Sequence, residues 1–435
     1  MGSTAVPVLI LGAGLAGLSA AWHLRRAGAS CRVLERRAEV GGHTTTAEEG
    51  GYRFDRTGHL LHLRDGAMRE LVHRLLGDRL LHVERRSRVY SHGVYTRYPF
   101  QANTFGLPPA VSYECVTGFL EARRAPPPRA PANFEEFCLA HFGPGFTRHF
   151  MVPYNEKLWG VSPREISAAW CQRFVPIPSV EDVIAGAVGL QDRELGYNAR
   201  FVYPRGGIGE LAAALATEVG EVELGRAPLR IDPERRLVAL PDEEIRYEHL
   251  ISTAPLDALG ALIDGAPPAV QGAFRRLRCA GLYYLDVALR RPILQDLHWV
   301  YVPEARFPFY RVGCYSNFSP ELAPPGCASL YVELSDRSPP DMDRLGPEVI
   351  RCLAEMRLIE GPDSVEFVRL RHLSHAYVIF DHDYFEALAV LRPYLLACGI
   401  QSTGRYGGWN YSSMEDALLY GRDAARAILS PTSPA

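Results

Sequence analysis

The sequence predicts an α/β chain in which a strand–helix–strand domain is interrupted by a helical insertion and joined to an antiparallel sheet domain. Three observations carry this. An apolar run, a glycine turn and a helical pattern follow one another from Val6 to Arg26; proline-broken helical segments fill residues 106 to about 195; and residues 280 to 335 alternate Tyr, Phe and Val as sheet strands do.

Val6, Val8, Leu9, Ile10 and Leu11 suit a strand buried on both faces, and Gly12, Gly14 and Gly17 follow at once. Gly12 permits the turn, Gly14 lets a pyrophosphate approach the backbone, and Gly17 lets the helix lie close on the sheet. The helix from about Leu15 aims its first N–H groups at that phosphate, while Arg25, Arg26 and Gly28 suit its C-terminal end. A second strand, Cys31 to Leu34, delivers Glu35 where a carboxylate accepts from an adenosine ribose. Together these predict a dinucleotide site on a Rossmann-like fold. Gly41 and Gly42, where backbone can close on the ligand again, favour FAD over NAD.

With 435 residues the chain can form about two or three domains. A net charge of −3 argues against a nucleic-acid partner. The nine cysteines are odd in number and contain no CxxC pair, which argues against a disulfide framework or a metal site and fits a reducing cytoplasm. No basic region precedes a long apolar stretch near the start, and no segment reaches roughly eighteen apolar residues, so neither export nor membrane insertion is expected.

Further along, Tyr52 and Phe54 suggest a strand feeding a loop at His59, and Met68, Leu71, Val72, Leu75 and Leu76 have helical spacing. Arg85 to Arg97 alternates like strands. Pro108, Pro109 and the proline run from Arg123 to Asn133 interrupt regular structure. Gly206, Gly207 and Gly209 precede an Ala-rich helix, and Glu248 to Pro255 returns to the nucleotide-domain pattern. A helix over Pro347 to Met356, a strand over Val365 to Leu370 and a return at Leu395 to Ile400 complete the chain. The expected division is 1–90, 196–275 and 395–435 for the FAD-binding domain, 106–195 for the helical insertion, and 91–105 with 276–394 for an antiparallel sheet substrate domain.

Near the C-terminus, Ser412 and Glu415 have capping-box spacing, and Ala417, Gly421, Ala424 and Ile428 make a small-residue face. That helix N-terminus can face the polar edge of an isoalloxazine. In residues 151–175, Ser162 can cap, Pro163 fits the first helical position and Glu165 closes the box, which would put Ile166, Trp170 and Arg173 on one face. Strand alternation groups Phe309, Arg311, Gly313 and Tyr315. Each arginine needs an anion. Two such forks suit a diphosphate, or each pairs with Asp or Glu or stacks on a ring. Tyr98 and Phe100 offer stacking faces and Gln101 an amide for a base edge, or the segment is a strand turning a corner. His59 touches a flavin or is internally satisfied. Tyr377, Tyr406 and Tyr411 donate to phosphate or to backbone. No HExxH, nucleophile elbow or Walker loop is present.

These segments resemble the UDP-galactopyranose mutases, particularly the eukaryotic-type branch, within the clan of FAD amine oxidases and protoporphyrinogen oxidases. The resemblance covers the N-terminal motif, GHLLH at His59, YPFQAN at Tyr98 to Asn103, PYNEKLWGV at Pro153 to Val161, Trp170 to Arg173, PFYRVGCYSNFSP at Pro308 to Pro320, Tyr377, and GRYGGWNY at Gly404 to Tyr411. It implies a glutathione reductase-type FAD domain in which Gly404, Arg405, Tyr411 and Met414 join the N-terminal glycines and Glu35 around the cofactor. It also implies that Tyr98, Phe100 and Gln101 hold a uracil with Asn155 and Trp159, that Arg173 and Arg311 clamp a diphosphate, that Tyr377 and Tyr411 add hydroxyls, and that His59 sits beside the flavin. The implied reaction interconverts pyranose and furanose forms of a UDP-sugar through an adduct at N5 of reduced FAD, without net redox change, NAD(P)H being an allowed external reductant. The clan also implies an alternative, an FAD-dependent oxidase or desaturase. Three positions depart from the mutase pattern. Thr57 stands where a glycine precedes the loop histidine, Phe318 where a tyrosine is expected, and Met414 where a polar residue is expected.

Overall fold

The computed structural model describes residues 2–124, 129–171, 175–190, 199–335 and 338–430. Arg173, residues 125–128 of the proline run and the tail from 431 lie outside them.

Strand β1 (Gly2–Leu11) is apolar on both faces because it separates two cores. Val8 and Ile10 enter one, Leu9 and Leu11 the other, and none is more than 3% exposed. It pairs in parallel with β2 (Cys31–Leu34) and with Glu243–Ser252, which pairs in parallel with Ile400–Ser402. Helix α1 (Leu15–Arg26) lies against the C-terminal helix Met414–Leu429 on the predicted small-residue face. A Cβ on Gly421 would stand 2.2 Å from the Ala16 carbonyl oxygen, so the two backbones nearly touch.

The expected capping box of that helix is one residue out of register. Ser413 and Asp416 form it, and Glu415 instead accepts from the backbone N–H groups of Arg64 and Asp65. Two serines and two acids stand side by side here, and a tertiary demand decides between them.

The second sheet has seven strands in the order Val365–Val378, Cys279–Leu289, Ala328–Ser335, Arg311–Cys314, Trp299–Tyr301, Ser87–Ser91, Val94–Arg97. Its alternation sorts function from core. Leu330, Val332 and Leu334 enter an apolar cluster shared with Val349, Cys352 and Leu353 of helix Met342–Glu355, whereas Tyr331 and Glu333 face the other way. That helix starts before the expected Pro347, with Asp341 as its cap. The strand expected over Val365 to Leu370 runs on to Val378, and an unpredicted helix, Tyr384–Ala397, adds Leu388, Leu391 and Leu395 to the second core.

The insertion contains helices Pro109–Arg124, Phe134–Phe146, Val152–Trp159 and Val180–Ala187, with a π turn at Thr147–Met151. No continuous helix follows Ser162. Its capping box forms, but it closes only the 3₁₀ turn Pro163–Glu165. Ile166 is then extended, its carbonyl accepting from Phe134 N–H and the next N–H, Ser167, donating to the Phe380 carbonyl, each at 2.8 Å. Ile166 and Trp170 therefore share no helical face.

Candidate active site

Three glycine-bearing segments meet at the start of α1. Gly12 turns at φ +101°, and a Cβ on Gly17 would lie 1.9 Å from the Gly12 carbonyl oxygen. The Gly41 N–H donates to the Ala13 carbonyl at 2.8 Å, a Cβ on Gly42 would stand 3.3 Å from the Gly14 Cα, and one on Gly404 would stand 3.0 Å from the Ala16 Cβ. The helix has no side-chain cap, and its first regular bond runs from Leu18 N–H to the Gly14 carbonyl, which leaves the N–H groups of Leu15, Ala16 and Gly17 for a ligand. Glu35, 6% exposed, accepts from Ala13 N–H at 2.8 Å and Arg37 N–H at 2.9 Å, one per carboxylate oxygen. Each oxygen keeps a lone pair for a hydroxyl. An anion cradle beside a fixed carboxylate fits a dinucleotide such as FAD.

The cleft beyond this cradle is lined by His59, Arg405 and tyrosines. His59 Nδ1 contacts the Thr57 carbonyl at 3.2 Å. Burial lowers its pKa to about 4, with Arg405 and Arg311 acting in the same direction, so the imidazole is neutral near pH 7 and Nε2 is left as an acceptor. Arg405 donates to the carbonyls of Ser412 and Ala376 and lies over the rings of Tyr377, Tyr406 and Tyr411 at 5.8, 5.7 and 4.8 Å. It has no carboxylate partner among the described residues. Tyr377 and Tyr411 stack on each other, 6.4 Å apart. His43 meets Tyr406 edge-on and is held neutral, chiefly by burial. Met414 is the first residue of the C-terminal helix.

Thr57 adopts φ +70°, a left-handed conformation that a β-branched side chain resists. Thr57→Gly is expected to raise stability by about 1 kcal/mol, measured as a higher denaturation midpoint. An unchanged or lower midpoint would show that the loop is relaxed around threonine.

Arg311 is no unpaired cation. Its Nε and Nη2 donate to Glu333 at 2.8 and 2.6 Å, and Nη2 also reaches the Tyr377 hydroxyl at 3.3 Å. Burial is the largest influence and works against the charge, but Glu333, 0% exposed, together with Tyr377, Tyr331 and Tyr154 outweighs it and holds the arginine above its ordinary pKa. Of the partners the sequence leaves open, the structure supplies Arg311 with a carboxylate, and the Tyr331 ring lies 6.0 Å away. Glu333 went unseen in the sequence because only the antiparallel register, Arg311 opposite Glu333, reveals it. Phe309 does not share the Arg311 face; it joins Val312 and Cys314 in the core.

The expected nucleotide wall is placed differently from the sequence reading. Phe100 is 0% exposed and stacked on Phe150 at 5.0 Å, so it has no face to offer. Tyr98 stands between Arg85 at 5.5 Å and Tyr301 at 4.7 Å. Gln101 donates to the Pro176 carbonyl. Trp159 Nε1–H donates to Asn155 Oδ1 at 3.1 Å while Asn155 Nδ2 donates to the Met151 carbonyl, so this pair is internally satisfied beside Tyr377. Phe318, 2% exposed, packs on Tyr203 and His298 in a separate core and subtracts no hydroxyl from the cleft. Residues missed by the sequence reading are Glu333, Arg85, Tyr301 and Tyr331; Tyr331 lies where a Cβ on Gly58 would come within 2.2 Å of its hydroxyl.

Among the described residues no group of three His, Cys, Asp or Glu is placed to hold a metal, and no helix is long and apolar enough to cross a membrane. The fold is similar over 99% of this chain and 96% of the other to a reduced UDP-galactopyranose mutase, with a TM-score of 0.93 and 25% identity. A protein from Exiguobacterium provisionally named protoporphyrinogen oxidase matches 98% of this chain and 99% of its own at TM-score 0.75 and 15% identity. By sequence, a Mycobacterium tuberculosis protein provisionally named flavin-containing monoamine oxidase AofH is 24% identical over 84% of this chain and 82% of its own. The family described as flavin containing amine oxidoreductase matches residues 15–429. With nearly the whole chain matched, and a cradle that fits FAD at its start, the protein belongs to the flavin-containing amine oxidoreductase family.

Proposed function

We propose that this protein is a flavin-dependent mutase interconverting the pyranose and furanose forms of a UDP-sugar, UDP-galactose or a relative. One observation carries the reading: Arg405, a guanidinium with no carboxylate partner among the described residues, stands with Arg311, Tyr377 and Tyr411 in a cleft beside His59. Such a cleft attracts an anionic ligand and repels a protonated amine. The likeness to a reduced UDP-galactopyranose mutase supports it.

FAD, when bound and reduced, supplies the nucleophilic centre. Glu333 fixes the plane of the Arg311 guanidinium through Nε and Nη2, so Nη1 remains to donate to a diphosphate oxygen. The Tyr377 hydroxyl accepts from Arg311 and keeps its own proton for the same anion. These donors stabilise the charge that grows on a departing diphosphate. Arg173 enters only as the second guanidinium that the resemblance implies, and His59 Nε2 as an acceptor beside the flavin.

The test is FAD-loaded protein reduced with dithionite, which is expected to interconvert the two ring forms while the oxidised protein does not. UDP at about a hundredfold its dissociation constant adds roughly 2.7 kcal/mol of stability. The second reading, an oxidase, is favoured by the monoamine oxidase-named relative. Oxygen consumption with an amine, and no shift with UDP, would establish it instead.

A further inference from the structure

Two histidines outside the cleft face each other across the seam between the sheet and the insertion. His92 occupies the turn between strands Ser87–Ser91 and Val94–Arg97, and His149 lies in the π turn Thr147–Met151. His92 Nε2 and His149 Nδ1 are 3.3 Å apart. Metal–nitrogen bonds of 2.0–2.1 Å in a tetrahedral site put two ligating nitrogens about 3.3–3.4 Å apart. Of the far nitrogens, His149 Nε2 is hydrogen-bonded to Glu114 Oε2 at 3.0 Å, whereas His92 Nδ1 stands 4.0 Å from Glu304 Oε1, beyond hydrogen-bond reach. The Glu114 carboxylate behind the His149 imidazole fixes its tautomer and leaves the inward Nδ1 a lone pair.

We propose that His92 and His149 form a divalent transition-metal site of the zinc class, tying the hairpin tip to the helical insertion. Both side chains remain partly open to solvent, 30% and 15% exposed, so water can complete the coordination. The backbone already prepares the seam: His92 N–H donates to Glu304 Oε1 at 2.7 Å, and Lys157 Nζ from the insertion donates to the Glu304 carbonyl at 3.0 Å. The proposal is independent of the reaction proposed above.

The test titrates ZnCl₂ into the chelator-stripped, FAD-loaded chain by calorimetry, with Co²⁺ absorption alongside. One saturable ion per chain is expected, lost in His92→Asn and in His149→Gln, and weakened about ten- to a hundredfold in Glu114→Gln. Asparagine suits the left-handed backbone at His92, where φ is +55°. A measurement on the unmutated chain runs beside these: zinc is expected to protect His92 and His149 from diethyl pyrocarbonate. No saturable binding, zinc bound equally by both histidine variants, a Co²⁺–thiolate band, or protection confined to other histidines would overturn the proposal.

Discussion

Arg311→Ala is expected to cost the folded chain about 3–5 kcal/mol, because it strands the fully buried Glu333 carboxylate without its partner. It is also expected to abolish the stabilisation conferred by UDP. The two effects are separable. In the double variant Arg311→Met, Glu333→Leu, neither charge is left buried and most of the stability returns, since apolar groups of similar size replace a buried pair at little cost. The UDP effect stays absent, because the donor that Arg311 offers to a diphosphate is gone. Denaturant melts with and without UDP read both quantities. A double variant that still responds to UDP would make the ion pair a purely structural device and remove Arg311 from the proposed site.

Asp55→Ala is expected to cost about 3 kcal/mol or more. The Asp55 carboxylate, 1% exposed, accepts from the Thr46 hydroxyl at 2.6 Å, from the Ile208 N–H at 3.1 Å and from the Tyr203 hydroxyl, and each donor left without a partner costs about 1–3 kcal/mol. It joins the His59 loop to the strand and helix that follow the insertion. Burial pushes its carboxyl up to about 6, against an ordinary value of about 4. The folded state therefore holds the proton more tightly than the unfolded one. That stabilisation is complete below about pH 4 and is lost as pH rises through about 6, a change of up to roughly 3 kcal/mol. Asp55→Asn removes this dependence, so the stability gap between wild type and variant is expected to shrink over that interval. A gap that stays constant from acid to neutral pH would show that Asp55 titrates normally.

Local patterns in the sequence proved readable where chemistry and position coincide within a few residues. Gly12, Gly14 and Gly17 with Glu35 lie in one strand–turn–helix–strand unit, and the structure puts each where its spacing requires. Strand alternation likewise separated the Arg311 side from the Val312 side, although Phe309 lies just before the strand and turns to the core. What failed depended on partners remote in sequence. The capping box at Ser162 is real, yet pairing of Ile166 with Asp381 pulls the chain out of a helix after one turn. The aromatic signature at Tyr98 and Phe100 does not say which rings already fill their faces, and Phe150 comes from a segment some fifty residues on. Glu333 could be assigned to Arg311 only through register, which no single strand encodes.

Arg405 carries a final consequence. Its guanidinium meets carbonyl oxygens and ring faces, near a helix start that has no side-chain cap among the described residues. Protein synthesised during riboflavin starvation thus keeps a positive lining that no carboxylate of the described residues balances, and its half-life in the cell should track vitamin supply. Pulse-chase turnover in a riboflavin auxotroph should show the cofactor-starved polypeptide being degraded first.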